Sequence, residues 1–176
     1  MLRPMRLVVI IGTLCSLVLC TATDASKPKP PMTRACQLAT TAQVSSIMGR
    51  TMHKAADDPT GCAWRAGPNA EAALEIYGWK KLSDAKQVLK DNVRGYELCV
   101  DPPDHFLPHS GLGDDAWVDG CASNITFRLG RITAEVTTFT QDVQQGSSAD
   151  TRRTAKLTRK IVAHLRKLRC ASFCRL

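Results

Sequence analysis

Two rhythms of apolar and polar positions run through this chain, and they divide it into predicted elements. In residues 39–48 the apolar positions Ala42, Val44, Ile47 and Met48 recur at helical spacing. Thr40 or Thr41 precedes them as an N-cap and Gly49 follows as a stop, so a short helix is predicted. Residues 57–61 form a turn cluster. Residues 62–65 read as a strand, turned at Gly67-Pro68-Asn69 into a second strand over 72–79, with Leu74, Ile76 and Gly78 on alternate positions. Residues 83–93 return to the helical period, with Ser83 as cap and Ala85, Val88, Leu89 and Val93 on one side. Prolines and glycines punctuate residues 97–120, leaving room for one short strand at 116–118. Residues 125–129 and 132–139 alternate on either side of Gly130-Arg131 and predict a hairpin. After a polar stretch, residues 151–168 carry the strongest helical pattern, with Leu157, Ile161, Leu165 and Leu168 on one face. This order predicts an α+β fold: an antiparallel sheet of about four to five strands with helices packed on one face.

The first residues follow a different plan. Arg3 and Arg6 are the only charges before an apolar run over residues 7–19, 13 residues long. A membrane-spanning helix needs about 20 residues. A basic start, a short apolar run and a polar exit predict a signal peptide over residues 1–19. Leu17-Val18-Leu19-Cys20 is similar to a bacterial lipobox, in which the cysteine becomes the lipidated first residue; Leu19 stands where Gly, Ala or Ser is usual. Lipidation at Cys20 is therefore expected. Cleavage after Ala22 or Ala25, giving a secreted chain, and an uncleaved anchor are the alternatives. Residues 20–35 then serve as a tether, stiffened by Pro28, Pro30 and Pro31. Residues 36–176 form a single globular domain.

Three short motifs mark that domain. Cys36-Gln37-Leu38-Ala39-Thr40 opens the first helix, which ends at Met48-Gly49. Cys62-Ala63-Trp64 follows, and Gly111-Leu112-Gly113-Asp114-Asp115-Ala116-Trp117 precedes the hairpin. With this spacing, over roughly residues 36–165, the chain resembles a family of small actinobacterial (mycobacterial-type) lipoproteins of unknown function. The resemblance implies an exported, tethered domain and supplies no catalytic residues.

Export changes the meaning of the cysteines, because disulfides persist outside the cytosol. Six follow Cys20: Cys36, Cys62, Cys99, Cys121, Cys170 and Cys174. Many pairings are open. Chain order suggests Cys36 with Cys62 and Cys99 with Cys121. Cys170 and Cys174 then close on each other or pair with another chain. No Cys-x-x-Cys or zinc-type spacing occurs, so no metal and no cofactor is expected.

The stretch between Cys99 and Cys121 holds Asp101, Asp104, His105, His109, Ser110, Asp114, Asp115 and Asp119. It lacks the alternation of a calcium loop and the Gly-x-Ser-x-Gly elbow of a hydrolase. It reads best as a turn-rich loop in which Asp residues satisfy the backbone. The three tryptophans, Trp64, Trp79 and Trp117, fall on predicted strands and read as core or sheet-face residues.

Charge is divided unevenly. Residues 151–176 carry nine Lys/Arg and no acid, whereas residues 20–150 carry 13 against 16 Asp/Glu. The whole positive excess of the mature chain thus lies in the last helix and tail. Arg152, Arg153, Lys156, Arg159, Lys160, Arg166 and Lys167 lie opposite its apolar face. One reading is a core-docked helix with a solvated basic side; the other is attraction to anionic lipid headgroups or envelope polymers. Nucleic acid is not expected as a partner of an exported chain. The expected function is that of an exported, lipid-anchored cell-envelope module that binds an unknown protein or surface partner without catalysis. The alternatives are a carrier of an apolar small molecule or lipid, and a secreted hydrolase using the 101–119 loop.

Overall fold

The computed structural model describes residues 34–96, 106–108, 111–119, 123–141 and 148–173. The export segment, Cys20 and most of the tether lie outside them, as do Cys99, Cys121, Cys174, Asp101, Asp104, His105, His109 and Ser110. Cys170 lies on a described helix, with its side chain outside the description.

The domain is α+β. Seven strands form one antiparallel sheet: β1 (His53–Asp57), β2 (Gly61–Arg65), β3 (Ala70–Gly78), β4 (Phe106–Pro108), β5 (Asp115–Asp119), β6 (Asn124–Leu129) and β7 (Ile132–Thr140). Their spatial order is β1-β2-β3-β7-β6-β5-β4. Among the described residues three α-helices accompany them: α1 (Thr41–Met48), α2 (Leu82–Tyr96) and α3 (Ser148–Phe173). The count exceeds the expected four to five because of the two edge strands. All five residues of β1 are exposed, so no apolar alternation announces it. β4 is three residues long and contains Pro108; proline has no N–H to give to a ladder, and an edge strand, paired on one side only, tolerates that.

Local chemistry sets the element boundaries. Thr40 caps α1 through a reciprocal pair: Gln43 N donates to Thr40 Oγ1 at 3.2 Å and Thr40 N donates to Gln43 Oε1 at 3.0 Å. Gly49 ends the helix in the left-handed conformation at φ +69°, where a β-carbon is disfavoured.

Strand register sorts the sheet into two faces. Cys62 and Trp64 of β2 stand beside Leu74 and Ala72 of β3, which stand beside Val136 and Thr138 of β7. Ile125 and Phe127 of β6 continue the row beside Val136 and Ala134, and Val118 and Ala116 of β5 continue it further. These residues are all buried. Val44 and Met48 of α1 and Leu157, Ile161 and Leu165 of α3 close over them in one apolar cluster. The helices that carry the core therefore pack on one face. Alternate positions, among them Glu75, Tyr77, Thr126, Thr133 and Glu135, point to the other face, where α2 lies with Ala85 and Leu89 buried beneath it.

Cys36 and Cys62 form a disulfide, with Cα atoms 5.0 Å apart, tying the segment before α1 to β2. Closing a loop of 26 residues contributes about 3 kcal/mol by restricting the unfolded chain. No helix among the described residues is long and apolar enough to cross a membrane.

Candidate functional site

Three features of the described residues bear on function: the Gly-Leu-Gly-Asp-Asp segment, the outer side of α3, and a cleft beneath α2.

The segment at 111–115 is a clamp on the β6–β7 hairpin. Leu112 is fully buried in the core. Gly113 has φ +142°, and a β-carbon there would stand 2.6 Å from the Arg128 carbonyl oxygen. That close approach lets Asp114 N donate to the same carbonyl at 2.8 Å. Arg128 Nε donates to Asp115 Oδ2 at 2.8 Å, and its Nη1 donates to Asp114 Oδ2 at 3.1 Å and to the Gly130 carbonyl at 3.0 Å. Gly130 N in turn donates to Asp114 Oδ2 at 2.7 Å. Two of the carboxylates of the 101–119 stretch, Asp114 and Asp115, are thus occupied in holding a buried guanidinium and a turn.

On α3 the basic residues separate into two roles. Arg153 leans back onto the sheet: its Nη1 donates to Asp150 Oδ1 at 2.8 Å and to Thr140 Oγ1 at 3.1 Å. Asp150 is only 1% exposed and also accepts from Thr140 Oγ1 at 3.0 Å. Thr154 adds a second buried link, with its hydroxyl 2.7 Å from that of Thr138 and donating to the Ser123 carbonyl at 2.7 Å. These bonds fix the rotation of α3 about its axis. Arg152, Lys156, Arg159, Lys160, Arg166 and Lys167 are consequently turned outward and exposed. None of the six is ion-paired among the described residues. Leu168, expected on the apolar face, is 37% exposed.

The cleft lies on the opposite face of the sheet. Its volume is about 330 Å³, and Glu75, Tyr77, Trp79, Val88, Asn92, Thr126, Thr133 and Glu135 line it. Trp79 follows β3 directly, and its indole Nε1 donates to Thr133 Oγ1 at 2.9 Å. Tyr77 donates its hydroxyl to Glu75 Oε2 at 3.2 Å, and Asn124 Nδ2 donates to Glu135 Oε1 at 2.9 Å. Burial pushes the Tyr77 phenol above its ordinary range, and the negative charges of Glu75, Asp58 and Glu135 push it in the same direction.

None of the cleft residues was expected as a site from the sequence. Reading the apolar phase of each strand draws attention to Leu74, Ile76, Ala134 and Val136. The opposite phase carries Glu75, Tyr77, Thr133 and Glu135. A glutamate in that phase of each strand is a visible signal, but their juxtaposition requires knowing that β3 pairs with β7, more than fifty residues away. Trp64 is core, as expected, and Trp117 is a sheet-face residue beside Thr126.

Compared with protein-family models, curated proteins and solved structures, the chain matches none.

Proposed function

We propose that this chain is an exported cell-envelope protein, anchored by a lipid on Cys20, whose domain is a non-catalytic binding module docked by α3 on anionic lipid headgroups. The observation that carries the reading is the outward row of six cations on α3, none of them ion-paired among the described residues. A solvated helix face in a globular domain ordinarily mixes both signs, often as i,i+4 pairs. Here no acid interrupts the row from Thr151 onward. Each Lys or Arg near an anionic surface contributes about 1 kcal/mol. The entry of the chain fits this orientation. Ala35 and Leu38, at the start of the described residues, pack into the core on the α3 face of the sheet. The family resemblance to small actinobacterial lipoproteins points the same way. The space between the sheet and α3 is filled by Trp64, Phe127, Leu74 and their neighbours, which favours a surface-docking role over enclosure of an apolar cargo there.

Vesicle sedimentation tests the docking, using chain carrying Cys20→Ser so that no acyl group contributes. Binding to phosphatidylglycerol vesicles and not to phosphatidylcholine vesicles is expected, weakening as salt is raised. Replacing Lys156, Arg159 and Lys160 by Gln removes about 3 kcal/mol, so the partition constant drops about 100-fold. Equal binding to both vesicle types, or an unaltered partition in the triple variant, would sink the docking. The anchor is tested separately by intact mass of the chain taken from its native membrane. A start at Cys20 with added acyl mass is expected; an unmodified start at Thr23 or Ser26 removes it.

A further inference from the structure

The outward side of α3 has a local geometry that a uniform basic row would not have. Ala163 is exposed and stands on the midline of that side, in line with Arg152 and Lys156 at helical spacing. Residues three and four positions away on a helix are its surface neighbours, with Cβ atoms about 5–6 Å apart. For Ala163 those four neighbours are Arg159, Lys160, Arg166 and Lys167. All four are exposed, and the side chain of none forms an ion pair or hydrogen bond with another described residue. The alanine is thus a low floor ringed by four cations. Arg153, by contrast, is turned back to the sheet, where its Nη1 donates to Asp150 Oδ1 at 2.8 Å. The row works against the helix that carries it. Like charges four residues apart, as in Arg152–Lys156 and Lys156–Lys160, destabilise a helix. Residues 151–176 hold no acid to offset them.

Resting on the docking of α3 at an anionic bilayer, we propose that the ring around Ala163 is the seat of a lipid headgroup that carries two phosphates. The ring has two equivalent ends. Arg159 and Lys160 form one, Arg166 and Lys167 the other, and each supplies one guanidinium and one ammonium. The ends lie seven residues apart, about 10.5 Å along the axis, and their long side chains reach toward each other across the alanine. At each end the guanidinium offers a two-pronged donor that matches a phosphate, and the ammonium adds a point charge beside it. The methyl group of Ala163 leaves the floor between the ends clear, so a headgroup can settle there with one phosphate at each end. Two single-phosphate lipids must be gathered into the ring one at a time. A two-phosphate headgroup brings its second phosphate as an intramolecular step, which tightens binding without any new contact. Both phosphates also relieve the repulsion within the row.

The test is vesicle sedimentation of the full chain carrying Cys20→Ser, on two vesicle types of equal surface charge. One is made anionic with phosphatidylglycerol, the other with half as many molecules of cardiolipin, whose headgroup carries two phosphates. Binding to both is expected, with cardiolipin about tenfold tighter. Ala163→Gln keeps every cation and suits an exposed helix position, but it fills the floor. It is expected to leave phosphatidylglycerol binding within about twofold and to abolish the preference for cardiolipin. Lys156→Gln removes a charge outside the ring and lowers binding to both vesicles alike, by about fivefold. Equal partition of the unaltered chain onto the two vesicles overturns the seat while leaving the docking of α3 in place. A cardiolipin preference that survives Ala163→Gln overturns it equally. Failure to bind either vesicle removes the docking and the seat together.

Discussion

The guanidinium of Arg128 is almost closed off from solvent while both its carboxylate partners are open. Its side chain is 8% exposed, against 41% for Asp114 and 47% for Asp115. That asymmetry decides which substitution costs most. Removing Arg128 leaves two carboxylates that water can reach. Neutralising both acids leaves a buried cation with only neutral acceptors such as the Gly130 carbonyl, and stranded buried charges cost about 3–5 kcal/mol. Asp114→Asn with Asp115→Asn is therefore expected to lower stability by about 3 kcal/mol, toward the lower end because the acids are partly solvated. Asp57→Asn, which breaks the exposed pair with Lys54 at 2.7 Å, costs under about 1 kcal/mol. Urea midpoints of the two variants measure the contrast, and a double-variant loss no larger than that of Asp57→Asn would remove the clamp from the account. The sequence makes these acids conspicuous without revealing this use, because Arg128 stands in the polar phase of a strand and appears there as an ordinary surface residue.

At the scale of elements, legibility follows burial. α1, β2, β3, β7 and α3 bury one side more than the other, and each therefore writes a periodic pattern into the chain; β6 is buried on both faces, and its pattern is visible because Ile125, Phe127 and Leu129 alternate with polar residues. The capping box at Thr40 and the stop at Gly49 are local chemistry and are equally plain. The edges of the sheet are different. β1 buries no side chain, and its backbone is recruited by the open edge of β2 instead of by any preference of His53-Lys54-Ala55-Ala56-Asp57. β4 joins Phe106 to Asp119 and Leu107 to Val118 at the other edge in the same way. The side of the sheet on which a helix lies is also set beyond the element. α2 has an amphipathic pattern like that of α3, but Ala85 and Leu89 cover the polar face of the sheet, and nothing within residues 82–96 distinguishes that face from the other. The candidate cleft exists because α2 takes that side.

Taken as a whole molecule, the domain is two-sided. The chain enters through Ala35 and Leu38 on the α3 side, the basic row faces outward there, and the sheet separates both from the cleft beneath α2. An anionic surface holding α3 would leave the cleft turned away from it. The tryptophans report which side is covered. Trp64 is buried in the core and silent to small quenchers, whereas Trp79 and Trp117 are half-buried on the α2 side. Acrylamide quenching of tryptophan fluorescence is therefore expected to be the same, within about a fifth, for chain free in solution and chain bound to phosphatidylglycerol vesicles, since adsorption through α3 leaves both partly exposed indoles in water. A fall to about half or less on binding would place the α2 face against the lipid. In that case the exposed cations of α3 act from a distance, and the headgroups themselves become the candidate occupants of the space around Tyr77 and Trp79.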